Sequence, residues 1–341
     1  MSDKNQAAVA GPAKRNVKNW LVENALIVVI LVMVVYTAFA AKNFVNWGTF
    51  KNVLLNVSVR FVIALGVSGC LIIRGTDLSA GRIVGLTAVL AGAMMQRVDA
   101  PSILYKELAG SSIFLALAAT MAVGLLLGLF NGLVVALLNV PAFIATLGTQ
   151  IAIYGFNQML SRNQPIGSFQ ENFNEFGTQG LSIGSLNIPW IFFVALAIGV
   201  VMYVLYNHTR YGKYMYAIGG NEIAAEVSGV NTRRSKIKIF ALAGLLYGVA
   251  GFLLAAKTGS AAVSAGTGYE LEAIAAATIG GVSTAGGIGT VPGILLGVVI
   301  FEMLKVCLQF LGISPEMTYV FQGAVIVIAV ALDIQKTMRK K

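Results

Sequence analysis

The stretch "IIRGTDLSAGRIVG", residues 72–85, interrupts an otherwise apolar passage with Gly75, Asp77, Ser79 and Gly81. The apolar runs beside it are short for full membrane crossings, and lipid offers no partner for the backbone N–H and C=O groups that such a break frees. Non-helical backbone at that depth survives only against protein or a water-filled cavity. The same device returns at 279–293, "IGGVSTAGGIGTVPG". A pair of glycine-interrupted, short hydrophobic segments in the two halves of a chain points to a transport pathway. Thr76, Asp77, Ser79, Ser283 and Thr284 are therefore the candidate pathway residues. Asp77 or Ser79 also suits the cap of the helix that follows, and the two roles are compatible.

The rest of the chain agrees with a membrane setting. Of its 341 residues 57% are hydrophobic and 11% charged, and the mean hydropathy is +0.81, which excludes a soluble domain. A crossing takes about 20 apolar residues, so the length accommodates about ten helices and leaves nothing for a sizeable extramembrane domain. Apolar runs fall at roughly 25–41, 53–73, 83–97, 113–138, 142–160, 188–206, 237–256, 270–281, 288–311 and 317–334. The expected fold is an all-α integral membrane protein of about ten spans, some short or broken. Its expected division is a polar tail at 1–20, one transmembrane domain over 21–335 and a basic tail at 336–341.

The formal net charge of +10 does not mark a nucleic-acid binder, because Lys and Arg occupy the gaps between apolar runs, which is how membrane orientation is written. Counting Arg74, Arg82, Arg210, Lys213, Arg233, Arg234, Lys236 and Lys238 with the terminal basics as inner residues places both termini in the cytoplasm. The basic leader, the apolar run from Ala25 and "AFAA" at 38–41 also resemble a signal peptide. Because the run continues to Ala41, it reads as a retained first span.

Other motifs favour structural roles. Gly124, Gly128 and Gly132, the pair Gly244 and Gly248, and Gly289, Gly293 and Gly297 sit four apart, the spacing that lets helix backbones approach closely in lipid. Asn131 suits a bond to a neighbouring helix. Of the few charges within spans, Glu302 and Lys305 are spaced to pair, Arg60 lies near enough to an end to snorkel, and Glu270 suits a helix N-terminus. Cys70, Cys307 and the single His208 form neither a disulfide framework nor a metal cluster. The chain lacks the GxxxxGK[ST] phosphate cradle, a GxSxG elbow and an HExxH pair, so neither ATP hydrolysis by that route nor a membrane hydrolase is expected, and no cofactor is implied. The polar stretch 161–187 reads equally as a solvated outer loop and as a docking surface for something outside.

The longest polar passage of the second half, "YAIGGNEIAAEVSGVNTRRSK" at 216–236, is too long for a tight connection and too short for a domain. Within it one or two helical turns begin near Asn221, with Glu222 in the first turn, a small face at Ala224 and Ala225 and a stop at Gly229. A short helix with a small face fits a partner's cleft. An amphipathic surface loop held by basic residues is the plainer alternative.

The segment "AIGGNEIAAEVSGVN" resembles the cytoplasmic loop of the sugar-type ABC importer permeases, the group of the ribose, xylose and galactose systems. "GTDLSAG", "NGLVVALLNVPAFIATLGT", "GYELEAIAAATIGGVSTAGGIGTVPG" and the basic terminus after "VALD" match the same family in the same order, from about Asn56 to Asp333. The branch that "GTDLSAGR" and the loop resemble most is the galactose/methyl-galactoside one. The resemblance implies a type II ABC importer fold in a bacterial inner membrane. It also implies that Asn221, Glu222, Ala224, Ala225 and Gly229 form a coupling helix docking on a separate ATPase subunit. The partners it implies are that ATPase, a soluble or lipid-anchored sugar-binding protein, a second permease copy and membrane lipid. Glu222 stands one residue from its place in the wider loop pattern, and the closing Ile-x-Leu-Pro is absent. A site that must release its cargo binds it weakly, so few hydrogen-bonding residues are expected along the path.

Two other classes share part of this evidence. An ion-coupled secondary sugar transporter uses the same broken helices, though it gives no reason for the coupling-type loop. A structural or signalling membrane protein leaves the paired breaks without a purpose.

Overall fold

Helices begin where the sequence supplies a side chain to accept the first free backbone N–H groups. In the computed structural model, which describes residues 25–184 and 186–338, α1 runs from Ala25 to Ala40 and α2 from Trp47 to Ile72. Asn46 caps α2 by accepting from the Thr49 N–H at 2.8 Å. After the first break come α3 (Ala80–Met95), α4 (Ile113–Leu137) and α5 (Ala142–Ser161). The outer segment folds into a short helix α6 (Glu171–Thr178) and a hairpin of β1 (Gly180–Ile183) with β2 (Leu186–Pro189), antiparallel with Gly180 opposite Pro189. Then follow α7 (Trp190–His208), α8 (Arg210–Gly220), α9 (Glu222–Val227) and α10 (Thr232–Thr258). The chain ends in α11 (Tyr269–Ile279), the second break, α12 (Val291–Phe310) and α13 (Pro315–Met338).

Each expected span meets a helix. Among the described residues six helices, α2, α4, α7, α10, α12 and α13, are long and apolar enough to cross a membrane. Helices α1 and α3 are shorter and apolar, while α11 has only 11 residues and cannot cross alone. The expected tail at 1–20 lies outside the described residues, as does the end of the basic tail.

The centre of the bundle is α10, which packs on α2, α3 and α4. Lipid tails are as apolar as Leu, so helices here gain from close packing rather than from escaping water. Glycine makes the closeness possible. A Cβ on Gly244 would fall 2.7 Å from the Gly128 Cα, and one on Gly124 would fall 2.9 Å from the Gly248 Cα. Among the helices long enough to cross, α13 is the least enclosed and α4 and α7 are also largely open, turning Phe114, Leu126, Val200, Val201, Tyr319 and Val327 outward. These are the faces a bilayer would wet.

Three expectations change. The stretch 161–187 is not a plain loop, because Phe173 is fully buried with its ring 5.1 Å from that of Phe252 on α10, so aromatic burial anchors α6 to the bundle. Its alternation was too short and too rich in Gly, Ser and Asn to announce the hairpin. Arg60 does not snorkel, since it is held between two carboxylates. Arg82 is not in a connection but in the first turn of α3, its guanidinium 4.6 Å from the Tyr154 ring centre.

Candidate translocation and coupling site

The first break holds its polar groups by contacts from three directions. Asp77 and Ser79 are fully buried. The Asp77 carboxylate accepts the Ser79 N–H at 3.0 Å and its hydroxyl at 2.6 Å. Ser79 takes the N-cap position of α3, but its hydroxyl serves Asp77 instead of the helix. From α4, Asn131 donates to the Ser79 oxygen at 2.9 Å and accepts the Thr149 hydroxyl of α5 at 2.7 Å. Thr146 of α5 accepts the Leu78 N–H at 3.0 Å and lies 3.2 Å from the Thr76 carbonyl. Helices α4 and α5 thus supply the partners that lipid cannot. Asn131 does bond between helices, while Thr146 and Thr149, hidden among ordinary polar residues of α5, escaped the sequence.

The second break has a different anchor. The Asp333 carboxylate of α13 accepts the Thr284 N–H and hydroxyl, both at 2.9 Å, and the Ser283 hydroxyl at 3.3 Å. Thr290 caps α12 by accepting from the Gly293 N–H at 3.2 Å. The five candidate pathway residues therefore fall into two polar clusters, one in each break, and do not form one site.

The breaks touch each other through backbone, where the Gly287 N–H donates to the Ile72 carbonyl at 2.8 Å. Both also touch α8. Arg74, at a positive φ of 62°, donates to the Gly219 carbonyl at 2.8 Å and the Gly220 carbonyl at 2.7 Å. The Tyr216 hydroxyl donates to the Gly289 carbonyl at 2.7 Å. Gly219 must be glycine for this contact, as its Cβ would fall 2.5 Å from the Gly287 nitrogen and overlap the Ile72 carbonyl. One helix end is thereby bonded to both interruptions.

Helix α9 follows at once. Asn221 caps it by accepting the Ala224 N–H at 3.0 Å, and Gly229 leaves it at a φ of +86°. Glu222 pairs with Lys236 of α10 at 2.6 Å. The expected small face is divided. Ala225 is buried against the chain itself, whereas Ala224 is exposed together with Ile223 and Val227, which are 76% and 85% exposed. Two large apolar side chains four apart on an open face are the feature the sequence reading missed. Beside α9 a cavity of about 270 Å³ opens, lined by Arg74, Gly75, Pro141, Ile218, Glu222 and Lys236 among others.

A second polar region lies among α2, α11 and α12. Arg60 pairs with Glu272 at 2.8 Å and Glu302 at 3.4 Å, and Lys305 pairs with the same two at 3.0 Å and 3.1 Å. Two cations against two anions leave no net charge, which is the arrangement buried ions require. Among the described residues no cluster of His, Cys, Asp and Glu is suited to a metal ion.

Helices broken at membrane depth, with both breaks bonded to one end of the bundle, define a multi-pass membrane permease. Residues 49–330 match the family described as the branched-chain amino acid transport system / permease component, and the chain belongs to it. It is 43% identical over 324 residues to the galactose/methyl galactoside import permease protein MglC of Haemophilus influenzae, covering 94% of this chain and 96% of that one. It is 42% identical to MglC of Escherichia coli over 331 residues, 96% of this chain and 98% of that one. The ribose import permease protein RbsC of Escherichia coli is 34% identical over 321 residues, 94% of this chain and 96% of that one. No solved structure matches the chain.

Proposed function

We propose that this chain is the membrane permease subunit of an ATP-driven importer that carries a monosaccharide of the galactose or methyl-galactoside type across a bacterial inner membrane. The observation that carries the reading is likeness along nearly the whole chain to permeases named for that sugar. The geometry adds a means of coupling. A partner ATPase docks on α9 through Asn221, Glu222, Ala224 and Gly229, with Ile223 and Val227 as the apolar contacts, while Ala225 packs inward and holds the helix to the bundle. Displacement of α9 then pulls on the end of α8, and with it on the bonds that tie α8 to the two breaks, those of Arg74 to Gly219 and Gly220 and that of Tyr216 to Gly289. Thr76, Asp77, Ser79, Ser283 and Thr284 border the inner part of the pathway and hold the backbone there between two discrete arrangements, as alternating access requires.

A soluble or lipid-anchored binding protein delivers the sugar from outside, and both termini face the cytoplasm. A second copy of the chain completes the pathway along α5, where Gly148, Ala152 and Gly155 form an open small-residue stripe that permits close helix approach. The test is uptake of labelled galactose into proteoliposomes containing this chain, with ATP on the cytoplasmic side, adding or omitting the ATPase and the binding protein. Uptake that requires all three components is the expected result. Galactose uptake by this chain alone under a proton or sodium gradient would overturn the reading in favour of an ion-coupled carrier.

A further inference from the structure

One group of buried polar atoms takes no part in the breaks, the ion pairs or the coupling bonds. Both side-chain polar atoms of Asn157 on α5 and Oε2 of Glu270 on α11 lack any hydrogen-bond partner, although the residues are 1% and 7% exposed. Leaving such atoms bare costs free energy, so their retention calls for an occupant or a purpose. They meet on one face of α3. A Cβ on Gly85 would stand 3.6 Å from Asn157 Nδ2, and one on Gly81 would stand 3.3 Å from the Glu270 carboxyl carbon.

The segment between α10 and α11 turns back to reach the same face. Gly266 and Gly268 take φ of +75° and +80° there, conformations that L side chains adopt rarely. A Cβ on Gly266 would lie 3.1 Å from the Gly85 nitrogen. Thr267 projects beside it, exposed, and its hydroxyl accepts from Arg82 Nη1 at 3.0 Å. Arg82 in turn lies over the Tyr154 ring of α5.

Depth makes this arrangement informative. Arg82 is separated from the Met95 end of α3 by roughly 20 Å of helix, at 1.5 Å per residue. A guanidinium part-exposed at that depth cannot face lipid cheaply, whereas a wet passage accommodates it.

We propose that Asn157, Glu270, Thr267 and Arg82 form the polar contact for the sugar in mid-membrane, with Tyr154 as the apolar wall. The chemistry suits a polyol. Asn157 offers donors and an acceptor, Glu270 an acceptor, Arg82 donors and Thr267 the remaining lone pair of a hydroxyl that donates to the Ser264 carbonyl at 2.7 Å, while a tyrosine ring covers the apolar face of a pyranose. Four contacts of this kind give transient binding in place of a deep pocket. The proposal rests on the importer reading for its sugar, and its test separates the two.

Saturation-transfer difference NMR of galactose with the permease and ATPase in lipid nanodiscs, without the binding protein, reads weak contact directly. Wild type is expected to transfer saturation to the sugar ring protons, and Asn157→Leu and Thr267→Val to lose at least half of that signal. In the complete system both variants are expected to import galactose at least tenfold more slowly than wild type. Thr267 lies on the exposed rim, so Thr267→Val decides the matter if Asn157→Leu fails to fold. No signal with wild type, or wild-type signal and uptake in Thr267→Val, overturns the site while ATP-dependent uptake by the complete system leaves the importer reading standing.

Discussion

Replacing Arg74 by Ala removes the two hydrogen bonds that join the first break to the end of α8, to Gly219 at 2.8 Å and Gly220 at 2.7 Å. Hydrogen bonds from a charged donor contribute about 1.5–3 kcal/mol each when desolvated, and less at the water boundary. Arg74 is exposed, so the pair together contributes about 1–2 kcal/mol to holding break and helix as one body. That converts to a factor of roughly 5–30 in the equilibrium between joined and parted states. The permease still folds, because neither α2 nor α10 loses a core contact. Motion of α9 then reaches the second break through Tyr216, and the first by way of the Gly287 N–H bond to Ile72 that joins the two. The assay is the number of galactose molecules imported per ATP hydrolysed in proteoliposomes containing ATPase and binding protein. The expected result is a fall of about 5- to 30-fold in that ratio, with ATP hydrolysis retained. Arg74→Lys recovers only part, since one ammonium does not match the two carbonyls as a planar fork does. A wild-type ratio in Arg74→Ala would refute the claim that these bonds transmit the motion.

Ile223→Glu or Val227→Glu is expected to leave the permease inserted and to weaken capture of the ATPase by about 30-fold, the effect of losing an interface anchor of about 2 kcal/mol, measured by co-purification at graded ATPase concentrations. Ala225→Glu, by contrast, should lower the thermal midpoint of the permease itself, because that side chain is buried. Gly244→Val is expected to destabilise the chain by about 3 kcal/mol, seen as reduced abundance in the membrane and a lower melting temperature in detergent. Lys305→Met leaves Arg60 alone against two buried carboxylates and should cost about 3–5 kcal/mol. Adding Glu302→Leu restores one cation per anion, so the double variant should regain more than half of the lost melting temperature.

The ends of the helices were legible because caps and breakers act locally. Asn221 and Gly229 bound α9 as their residue types dictate, and the apolar runs locate the helices to within a few residues. The Gly124, Gly128, Gly244 and Gly248 spacing likewise foretold close helix contact. The structure adds that α4 and α10 are the partners. The face of α9 was not legible. Ala224 and Ala225 are adjacent in sequence, and which of them points outward depends on where α8 and α10 hold that short helix.

The sequence by itself determined that this chain lies in a membrane, how many apolar segments it has and where two of them break, since those properties follow from hydropathy and backbone conformation within a few residues. Only the tertiary structure decided what each break is tied to. Asp77 and Ser79 meet Asn131 and Thr149, Ser283 and Thr284 meet Asp333, and Arg74 meets α8. The physical reason is that a freed backbone group in lipid must find its partner on another helix, and the identity of that helix is a property of the packed bundle, which local spacing does not contain.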